Sequence, residues 1–498
     1  MTKTRCLFWH RKDLRINNNI GLAKAIRKDH FTFGVYILDP LILESKIQNQ
    51  KISPAKEWFI YKSLLELEKN WLNKNHSKLY ILKGNPLNII PKLAITLKIN
   101  KVFWNINIEP YERGRDLEVE NKLNLLGIET FKYWDNLIME PENIKSKENK
   151  PYKIFTPFKN NWIAQYSSHQ NYNKKDNNKI SMNLDYDSKK ELKKVDLVLK
   201  DDSENAKKII KDSINKSFFE SSDSCPCIPG EQKSNLQLED FFNSGAIYNY
   251  FLTRDVPYQK QTSKISAGLN IGTISIRRAW KLSEQLKLDC SNNSIIKSIN
   301  VWQNELIWRE FYQHSLYHFP ELAKGAFRKS WENFPWENNY KWIELWERGL
   351  TGIPIIDAAM RELKHTGWMH NRCRMIVASF LVKDLICDWK FGENIFMKYL
   401  VDGDLAANNG GWQWGASSGV DTKPLRIFNP HTQTKKFDPL TKYIKRWIPE
   451  LSNVSTEDLI RGSIGDPERR GYPNPIINHN YQQSKFKEIY KNFKRNLH

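Results

Sequence analysis

The chain of 498 residues is too long for one ordinary domain and is expected to form two or three. Hydrophobic residues make up 40% and aromatic residues 12% of it, which excludes a wholly disordered protein. No run approaches the roughly eighteen apolar residues of a membrane span, and charges interrupt the opening segment MTKTRCLFWHRKDLR, which argues against a signal peptide. Six cysteines, with Cys225 and Cys227 as a lone C-x-C pair, are too few for a disulfide framework or a zinc site, so we expect a cytoplasmic protein without a metal.

The net charge of +21 favours a polyanionic partner such as nucleic acid. A Lys- and Asn-rich composition by itself would produce the same excess, so the charge locates no binding face. Tryptophan is more informative, because twelve of the eighteen lie between Trp280 and Trp447. Packing alone rarely requires that density, which points to a site in the second half of the chain.

The first 135 residues alternate short apolar runs with helical patterns. Buried strands are predicted at 6–9, 31–38, 79–82, 102–106 and 130–134. Ser53 and Pro54 predict the start of a helix, whose buried face is predicted to carry Trp58, Tyr61, Leu65 and Leu72. A second helix is predicted at 110–126, before Gly127. This alternation is typical of a parallel, doubly wound sheet, although the G-x-G-x-x-G turn of dinucleotide-binding domains is absent.

Residues 136–230 differ in composition and are rich in Lys, Asn, Ser and Asp, as in NYNKKDNNK at 171–179. We predict a long solvated linker there, with or without short helices. From Leu238 onward the pattern is helical, with helices predicted at 354–364, ending near Gly367, and at 371–389, ending near Gly392. The predicted fold is α/β followed by all-α: a doubly wound parallel-sheet domain at 1–135, a linker at 136–230 and an all-helical domain at 231–498.

The segment VDGDLAANNGGWQWGASSGVD at 401–421 is the densest polar cluster. It places two carboxylates around a glycine, then amides, then two indoles. Such a surface suits a flat, polar ligand, because glycines allow close backbone approach while amides and carboxylates bond to ring edges. An Asx-rich turn with its tryptophans in the core explains the same residues equally well.

Two further clusters lie upstream. Trp302, Glu305, Trp308 and Arg309 follow helical spacing and share one face, where a carboxylate between indoles needs a partner. The alternative is an amphipathic helix in which Glu305 pairs with an arginine. The segment GWMHNRCRM at 367–375 sets an amide and two arginines at a helix start, which suits a phosphate site or a solvated cap.

Four segments now become informative together: WQNELIWREFY at 302–312, TGIPIIDAAMREL at 351–363, TGWMHNRCRMIVASFLVKDL at 366–385 and DGDLAANNGGWQW at 402–414. They resemble the photolyase/cryptochrome family, specifically the class I cyclobutane pyrimidine dimer photolyases of microbes. The resemblance extends to WHRKDLR at 9–15 and RIFNP at 426–430, and covers nearly the whole chain except the polar linker. It implies an α/β domain followed by a helical domain that binds FAD.

The resemblance also implies roles for individual residues. The positions that match FAD contacts are Tyr250, Thr262, Ser263, Lys264, Ile265, Ser266, Trp302, Arg309, Asn371, Arg374, Asp402, Gly403, Asp404 and Asn408. Arg374 would pair with Asp402, so that neither charge is buried alone. Asn408 would lie against flavin N5. The hydroxyls and consecutive backbone N–H groups at 262–266 also suit a pyrophosphate on physical grounds.

In this family, blue light excites reduced FAD, which donates an electron to a dimer flipped out of the DNA stack. The residues that match the catalytic and lesion-binding positions are Glu305, Trp308, Met375, Asn408 and Trp414. Arg254, Arg372 and Gln433 match further DNA contacts. Trp336, Trp389 and Trp412 match an electron-transfer chain from the surface to the flavin, although each alone could be core packing. The implied partner is DNA that contains cyclobutane pyrimidine dimers, and the implied enzyme is a monomer.

Related activities differ at these positions. The (6-4) photolyases carry histidines in the motif that holds Asn371 and Met375 here, and plant-type cryptochromes carry aspartate in place of Asn408. A cryptochrome photoreceptor without repair activity is the alternative function. Folate-using members carry Asn-Glu followed by a lysine, whereas this chain has Tyr111, Glu112 and Lys324. The second, light-harvesting chromophore is therefore left open between methenyltetrahydrofolate, a deazaflavin and none.

Overall fold

The computed structural model describes residues 3–43, 52–75, 77–170, 186–214, 224–420 and 425–495. Its N-terminal domain is built on a five-stranded parallel sheet with strand order β3-β2-β1-β4-β5. The strands are β1 Thr4–His10, β2 His30–Leu38, β3 Leu79–Lys83, β4 Lys101–Asn105 and β5 Glu129–Tyr133. All five predicted strands are confirmed within one or two residues at each end. The strand order reverses between β1 and β4, and the carboxyl ends of these strands form the crevice where doubly wound sheets bind ligands.

Helices cover the sheet on both faces. They are α1 Ile20–Ala25, α2 Pro40–Leu43, α3 Pro54–Asn75, α4 Pro86–Thr96 and α5 Pro110–Leu125. Both predicted helix starts, at Pro54 and Pro110, are confirmed, and Gly127 adopts the left-handed φ of +71° that ends α5.

The predicted buried face of α3 is partly wrong. Trp58 is buried, but Leu72 is 42% exposed, and the buried positions of the later turns include Leu64, Leu67 and Trp71 instead. The reason lies in β2, where Gly34 leaves room for an indole: a Cβ atom there would lie 2.8 Å from the Trp71 ring. The helix is rotated to insert this ring, a contact that periodicity within α3 does not encode.

The segment predicted as a solvated linker contains two long helices, α6 Phe155–Gln170 and α7 Tyr186–Ser213. From α6, Phe158 and Trp162 enter the core of the helical domain. From α7, Val195 and Leu199 pack into the core of the sheet domain. The prediction missed these helices because the apolar stripe is narrow and the rest of each helix is charged or amidic. The stretch 171–179 lies outside the described residues.

The second domain is helical, as predicted. Its helices are α8 Glu231–Asn243, α9 Tyr250–Thr253, α10 Ser266–Ile271, α11 Ile276–Leu288, α12 Asn293–His318, α13 Tyr340–Arg348, α14 Pro354–Thr366, α15 Asn371–Ser379, α16 Trp389–Tyr399, α17 Leu405–Ala416, α18 Pro430–Phe437, α19 Lys442–Trp447, α20 Thr456–Arg461, α21 Asp466–Arg469 and α22 His479–Arg495. Within the described ranges, none of the helices combines the length and apolar character needed to cross a membrane.

The helix predicted at 371–389 is two helices. After α15 the chain makes one π turn at Phe380–Asp384, and α16 begins at Trp389 behind the N-cap Asp388, whose carboxylate accepts from Lys390 N at 3.1 Å. Gly392 lies inside α16 rather than at a helix end. A Cβ atom there would lie 2.0 Å from the Trp412 ring, so this glycine serves the packing of α16 against α17.

Candidate active site

The loop at 400–404 between α16 and α17 carries the two carboxylates of the DGD motif. Asp402 is buried, and both of its oxygens accept from Arg374 Nη2, at 3.0 and 2.9 Å. Asp402 Oδ2 also accepts from the Ser266 hydroxyl at 2.6 Å. The pairing of Arg374 with Asp402 inferred from the sequence is therefore present, and it joins three segments distant in the chain.

Asp404 has a second role at the start of α17. Its side chain caps the helix by accepting from Ala407 N at 2.8 Å, and it accepts from Gln313 Nε2 at 3.0 and 3.2 Å. Gln313 was missed by the sequence analysis, although it lies one helical turn beyond Arg309 on α12 and so shares its face. The hydrogen bonds from Ala407 N and Gln313 Nε2 together hold the Asp404 carboxylate in one orientation.

The segment 262–266 precedes α10 beside this loop. Trp302 Nε1 donates to the Ser263 hydroxyl at 3.3 Å, and Lys264 adopts a left-handed φ of +53°. Burial lowers the pKa of the Lys264 ammonium. The Thr262 hydroxyl is buried without a hydrogen-bond partner among the described residues. A buried hydroxyl that lacks a partner next to consecutive backbone N–H groups fits a phosphate oxygen.

Tyr250 is buried in the same core cluster as Ile265, and Arg309 is half-buried. Arg309 donates to the Asn136 carbonyl at 2.9 Å and to the Leu269 carbonyl at 3.5 Å, and burial lowers the pKa of its guanidinium. Its carbonyl partners thus hold the end of the sheet domain against α10. Asn371 is exposed at the first residue of α15.

Asn408 lies on α17 one turn after the cap. Its Nδ2 donates to the Glu393 carbonyl at 3.0 Å, which fixes the side-chain amide, and its Oδ1 makes no described hydrogen bond. The same stretch of α16 contacts Asn409, whose Nδ2 donates to Glu393 Oε1 at 2.9 Å. The backbone and side chain of Glu393 therefore support two consecutive amides.

The buried Glu393 carboxyl should make stability depend on pH. Burial raises its pKa to about 7, above the ordinary glutamate value that it regains on unfolding. Its contribution to the free energy of unfolding is therefore full below about pH 4.5 and is lost as the pH rises through about 7. Urea denaturation at pH 5 and pH 8 measures how much the free energy of unfolding falls between the two. For Glu393→Gln this fall should be smaller than for wild type by on the order of 2 kcal/mol. The exposed Glu457→Gln is the control, and an equal loss in all three proteins would contradict this assignment.

The predicted DNA-side residues form a chain of ion pairs. Arg254 Nη1 lies 2.6 Å from Glu305 Oε1, and Arg372 Nη2 lies 2.9 Å from Asp255 Oδ2. Arg254 and Asp255 are linked by a longer contact of 3.8 Å. Glu305 thus has the arginine partner that the sequence left as an alternative. Asp255 was missed, and its only sequence signal is its place beside Arg254.

The aromatic lesion-binding candidates lie on neighbouring helices. Trp308 on α12 stacks on Phe155, with ring centroids 3.6 Å apart and planes 7° apart. Trp414 on α17 lies under the Arg426 guanidinium at 5.8 Å, and both Trp414 and Met375 on α15 pack against the same core cluster. No ring contact between Trp308 and Trp414 is described. Phe155 comes from the segment predicted as linker and was missed.

Close packing brings α12 and α17 together. A Cβ atom on Gly410 would lie 2.2 Å from the Tyr312 ring, so this glycine is required for the approach. The carboxylate loop at the start of α17 and the face of α12 that carries Trp308 are thereby held side by side.

The three tryptophans of the predicted electron-transfer chain belong to one core region. Trp412 and Trp389 are buried in the same cluster, and the half-buried Trp336 packs against it. The described ring neighbours of Trp412 are Phe396 at 4.9 Å and Trp346 at 6.1 Å. No described ring contact joins the three tryptophans directly.

The remaining candidates are less closely grouped. The Gln433 side-chain oxygen on α18 is buried without a described partner. Tyr111 donates its hydroxyl to Asp39 at 2.9 Å, and Glu112 lies 3.3 Å from Lys12, all at the carboxyl edge of the sheet. Lys324 is exposed after the 3-10 turn Pro320–Ala323 and shares no described hydrogen bond or ion pair with Tyr111 or Glu112.

The fold and site define a two-domain protein in which a doubly wound sheet lies against a helical domain. In the helical domain, the segment 262–266, which suits a phosphate, lies beside the carboxylates of Asp402 and Asp404. Two family models match the chain: "DNA photolyase" at residues 6–176 and "FAD binding domain of DNA photolyase" at residues 302–492.

Similar proteins extend over the full length. A deoxyribodipyrimidine photo-lyase of Synechococcus sp. is 45% identical over 98% of this chain and 96% of that protein. The crystal structure of a class III photolyase from Agrobacterium tumefaciens has a TM-score of 0.81 at 30% identity, covering 99% of this chain and 98% of that one. A Synechocystis cryptochrome has a TM-score of 0.82 at 25% identity, covering 98% and 99%. The chain belongs to the DNA photolyase family, and its helical domain is the family's FAD-binding domain.

Proposed function

We propose that this protein is a lyase that uses blue light and FAD to repair cyclobutane pyrimidine dimers in DNA. One observation carries the proposal: the ion pair of Arg374 with Asp402, which also bonds to Ser266, places the cofactor side of α15 next to Met375 on the same helix. The same helix carries Arg372, whose partner Asp255 adjoins the ion pair of Arg254 with Glu305. A cofactor loop and a lesion-binding surface on the same short set of elements are what repair by electron transfer requires. The name of the Synechococcus relative, a deoxyribodipyrimidine photo-lyase, supports the same activity.

The residues at 262–266 and 402–408 fit FAD, because the Thr262 hydroxyl is buried without a partner and the Asn408 oxygen makes no described bond. When bound and reduced, FAD supplies the excited electron that opens the cyclobutane ring. The residues of this chain bind the cofactor and orient it. Ser266 and Asp402 would hold the diphosphate and ring side of the cofactor, and Asn408 would present its amide oxygen to the N5 edge.

For the substrate, Trp308 and Trp414 would stack on the flipped dimer, and Glu305 would hydrogen-bond to the pyrimidine edge. Burial raises the pKa of the Glu305 carboxyl, and the Arg254 guanidinium, which donates to it, acts in the opposite direction. Arg372 and Gln433 would contact the DNA backbone, and the enzyme would act as a monomer. Trp336, Trp389 and Trp412 would carry electrons from the surface to oxidised FAD.

The crevice between β1 and β4 is the proposed binding site of any second chromophore. There the guanidinium groups of Arg11 and Arg115 lie over the Trp9 ring at 4.7 and 4.9 Å, and Arg11 Nε and Nη2 are buried without described partners. Tyr111 lies beside them, so this crevice, rather than the surface near Lys324, is the proposed antenna site. Methenyltetrahydrofolate, a deazaflavin and no second chromophore remain the three alternatives.

A cryptochrome photoreceptor is the second candidate, because the Synechocystis cryptochrome has a similar overall fold. The fold does not separate the two functions. The lesion-binding set of Glu305, Trp308, Met375 and Trp414 favours repair, since a photoreceptor has no physical need of all four.

A repair assay tests the proposal. Purified, reduced protein under blue light should convert thymine dimers in DNA to monomers and leave (6-4) products untouched. Trp336→Phe, reduced chemically beforehand, should repair at the wild-type rate, because its proposed role precedes flavin reduction. The absorption spectrum of the same preparation reports FAD and any second chromophore. Flavin-loaded protein that removes no dimers in the light would overturn the proposal in favour of the photoreceptor.

A further inference from the structure

The loop at 400–404 is held from the other domain. At its first residue, the Ser53 hydroxyl donates to the Leu400 carbonyl at 2.7 Å. At its centre, Lys56 Nζ donates to the Gly403 carbonyl at 2.6 Å. Ser53 directly precedes α3 of the sheet domain and Lys56 lies in the first turn of that helix, so both donors are more than 340 residues earlier in the chain. The backbone on either side of Asp402 is therefore held by hydrogen bonds from the N-terminal end of α3.

An apolar contact accompanies these two bonds. Val401 is fully buried and belongs to the core cluster of the sheet domain, together with Ala55, Trp58 and Phe59 of α3. Within the helical domain, Val401 N donates to the Gly367 carbonyl at 2.7 Å, and Asn270 Nδ2 donates to Gly403 O at 2.8 Å. The loop thus lies between the two domains, with hydrogen bonds from each.

Removing the Lys56 ammonium group from water, even in part, costs free energy unless the group has a partner. Burial and the nearby Lys12 lower the pKa of Lys56, while Glu109 and Asp404 act in the opposite direction. Hydrogen bonds from a charged donor to a carbonyl are stronger than neutral ones and leave less freedom to the acceptor. A half-buried lysine that donates to one backbone carbonyl of this loop therefore fits a positioning role.

We propose that Ser53 and Lys56 of the sheet domain are positioning residues for the FAD site, which hold the loop at 400–404 so that Asp402 and Asp404 keep their places. The inference rests on the proposed function in one respect, the placement of the flavin against these two carboxylates. It assigns the sheet domain a part in cofactor retention that is independent of any antenna.

The test uses the full-length holoenzyme. Lys56→Met should release FAD about tenfold faster than wild type, followed by the rise in flavin fluorescence on release, because the Gly403 carbonyl loses its charged donor. The vibrational structure of the bound flavin absorption band should also weaken, which a purely structural role far from the cofactor would not cause. Lys56→Arg keeps a charged donor and should restore both properties. Lys69→Met, an exposed change on the same helix, is the matched control.

The outcomes separate this inference from the proposed function. Wild-type protein that cannot bind FAD would contradict the proposed function. Wild-type protein that binds FAD, with Lys56→Met releasing it at the wild-type rate, would overturn the inference alone. If Lys56→Met does not fold, Ser53→Ala takes its place; this change removes the bond to the Leu400 carbonyl and the bond that the hydroxyl accepts from Lys56 N. It is expected to accelerate release in the same direction, and an unchanged rate there would equally overturn the inference.

Discussion

Replacing Asp402 with alanine is expected to empty the FAD site and to lower the free energy of unfolding by about 3 kcal/mol. The carboxylate accepts both bonds from Arg374 Nη2 and one from Ser266, so its loss leaves a guanidinium without its anion. Arg374 keeps about a quarter of its side chain exposed, which places the effect at the low end for broken buried ion pairs. The ratio of flavin to protein absorbance and urea denaturation measure the two effects.

Two further variants serve as controls for Asp402→Ala. Asp402→Asn keeps an acceptor for Ser266 and should lose less stability than alanine. Asp466→Ala removes a carboxylate that is 88% exposed and should change neither quantity. If Asp402→Ala retains wild-type flavin content, the carboxylate loop is not part of the cofactor site.

Replacing Trp308 with alanine is expected to weaken binding to dimer-containing DNA by about ten- to a hundredfold. Base–aromatic stacking contributes roughly 1–3 kcal/mol per base, and each 1.4 kcal/mol corresponds to about a factor of ten. Flavin content should stay unchanged, because Trp308 makes its described ring contacts with Phe155, Phe311 and Tyr312 rather than with the carboxylate loop. Fluorescence anisotropy with damaged and undamaged duplexes measures the difference.

The effect of Trp308→Ala should be confined to damaged DNA, because undamaged duplex offers no flipped base to stack. Tyr481→Ala removes an exposed ring on α22 and is the aromatic control. Equal dissociation constants for wild type and Trp308→Ala on dimer-containing DNA would remove Trp308 from the lesion site.

Features coded over a few neighbouring residues were predictable from the sequence. The apolar runs of the five strands, the proline at the start of α3 and the glycine after α14 each determine local backbone geometry, and each was confirmed. The prediction of one helix at 371–389 was wrong, because the apolar pattern continues through the π turn at Phe380–Asp384 and gives no local sign of the break.

Part of the site was also predictable. Arg374 and Asp402 were expected to pair through family resemblance, and the spacing on α12 placed Trp302, Glu305, Trp308 and Arg309 on one face. Three partners that complete these groups were not found. Asp255 and Phe155 are ordinary residue types in segments without a distinctive pattern, whereas Gln313 shares the face of Arg309 but lies one residue beyond the segment that carries the family resemblance.

The sequence by itself determined the α/β-then-helical order, the five strands and the starts of α3, α5 and α14, since all of these depend on periodicity and caps within one segment, while the site residues came from the family resemblance. Only the tertiary structure decided that α7 covers the sheet, that α3 rotates to insert Trp71 beside Gly34, and that Lys56 bonds to Gly403. These contacts join residues tens to hundreds of positions apart. They depend on the path of the chain and on the free energy of burying two surfaces together, and neither is encoded in the pattern of one segment.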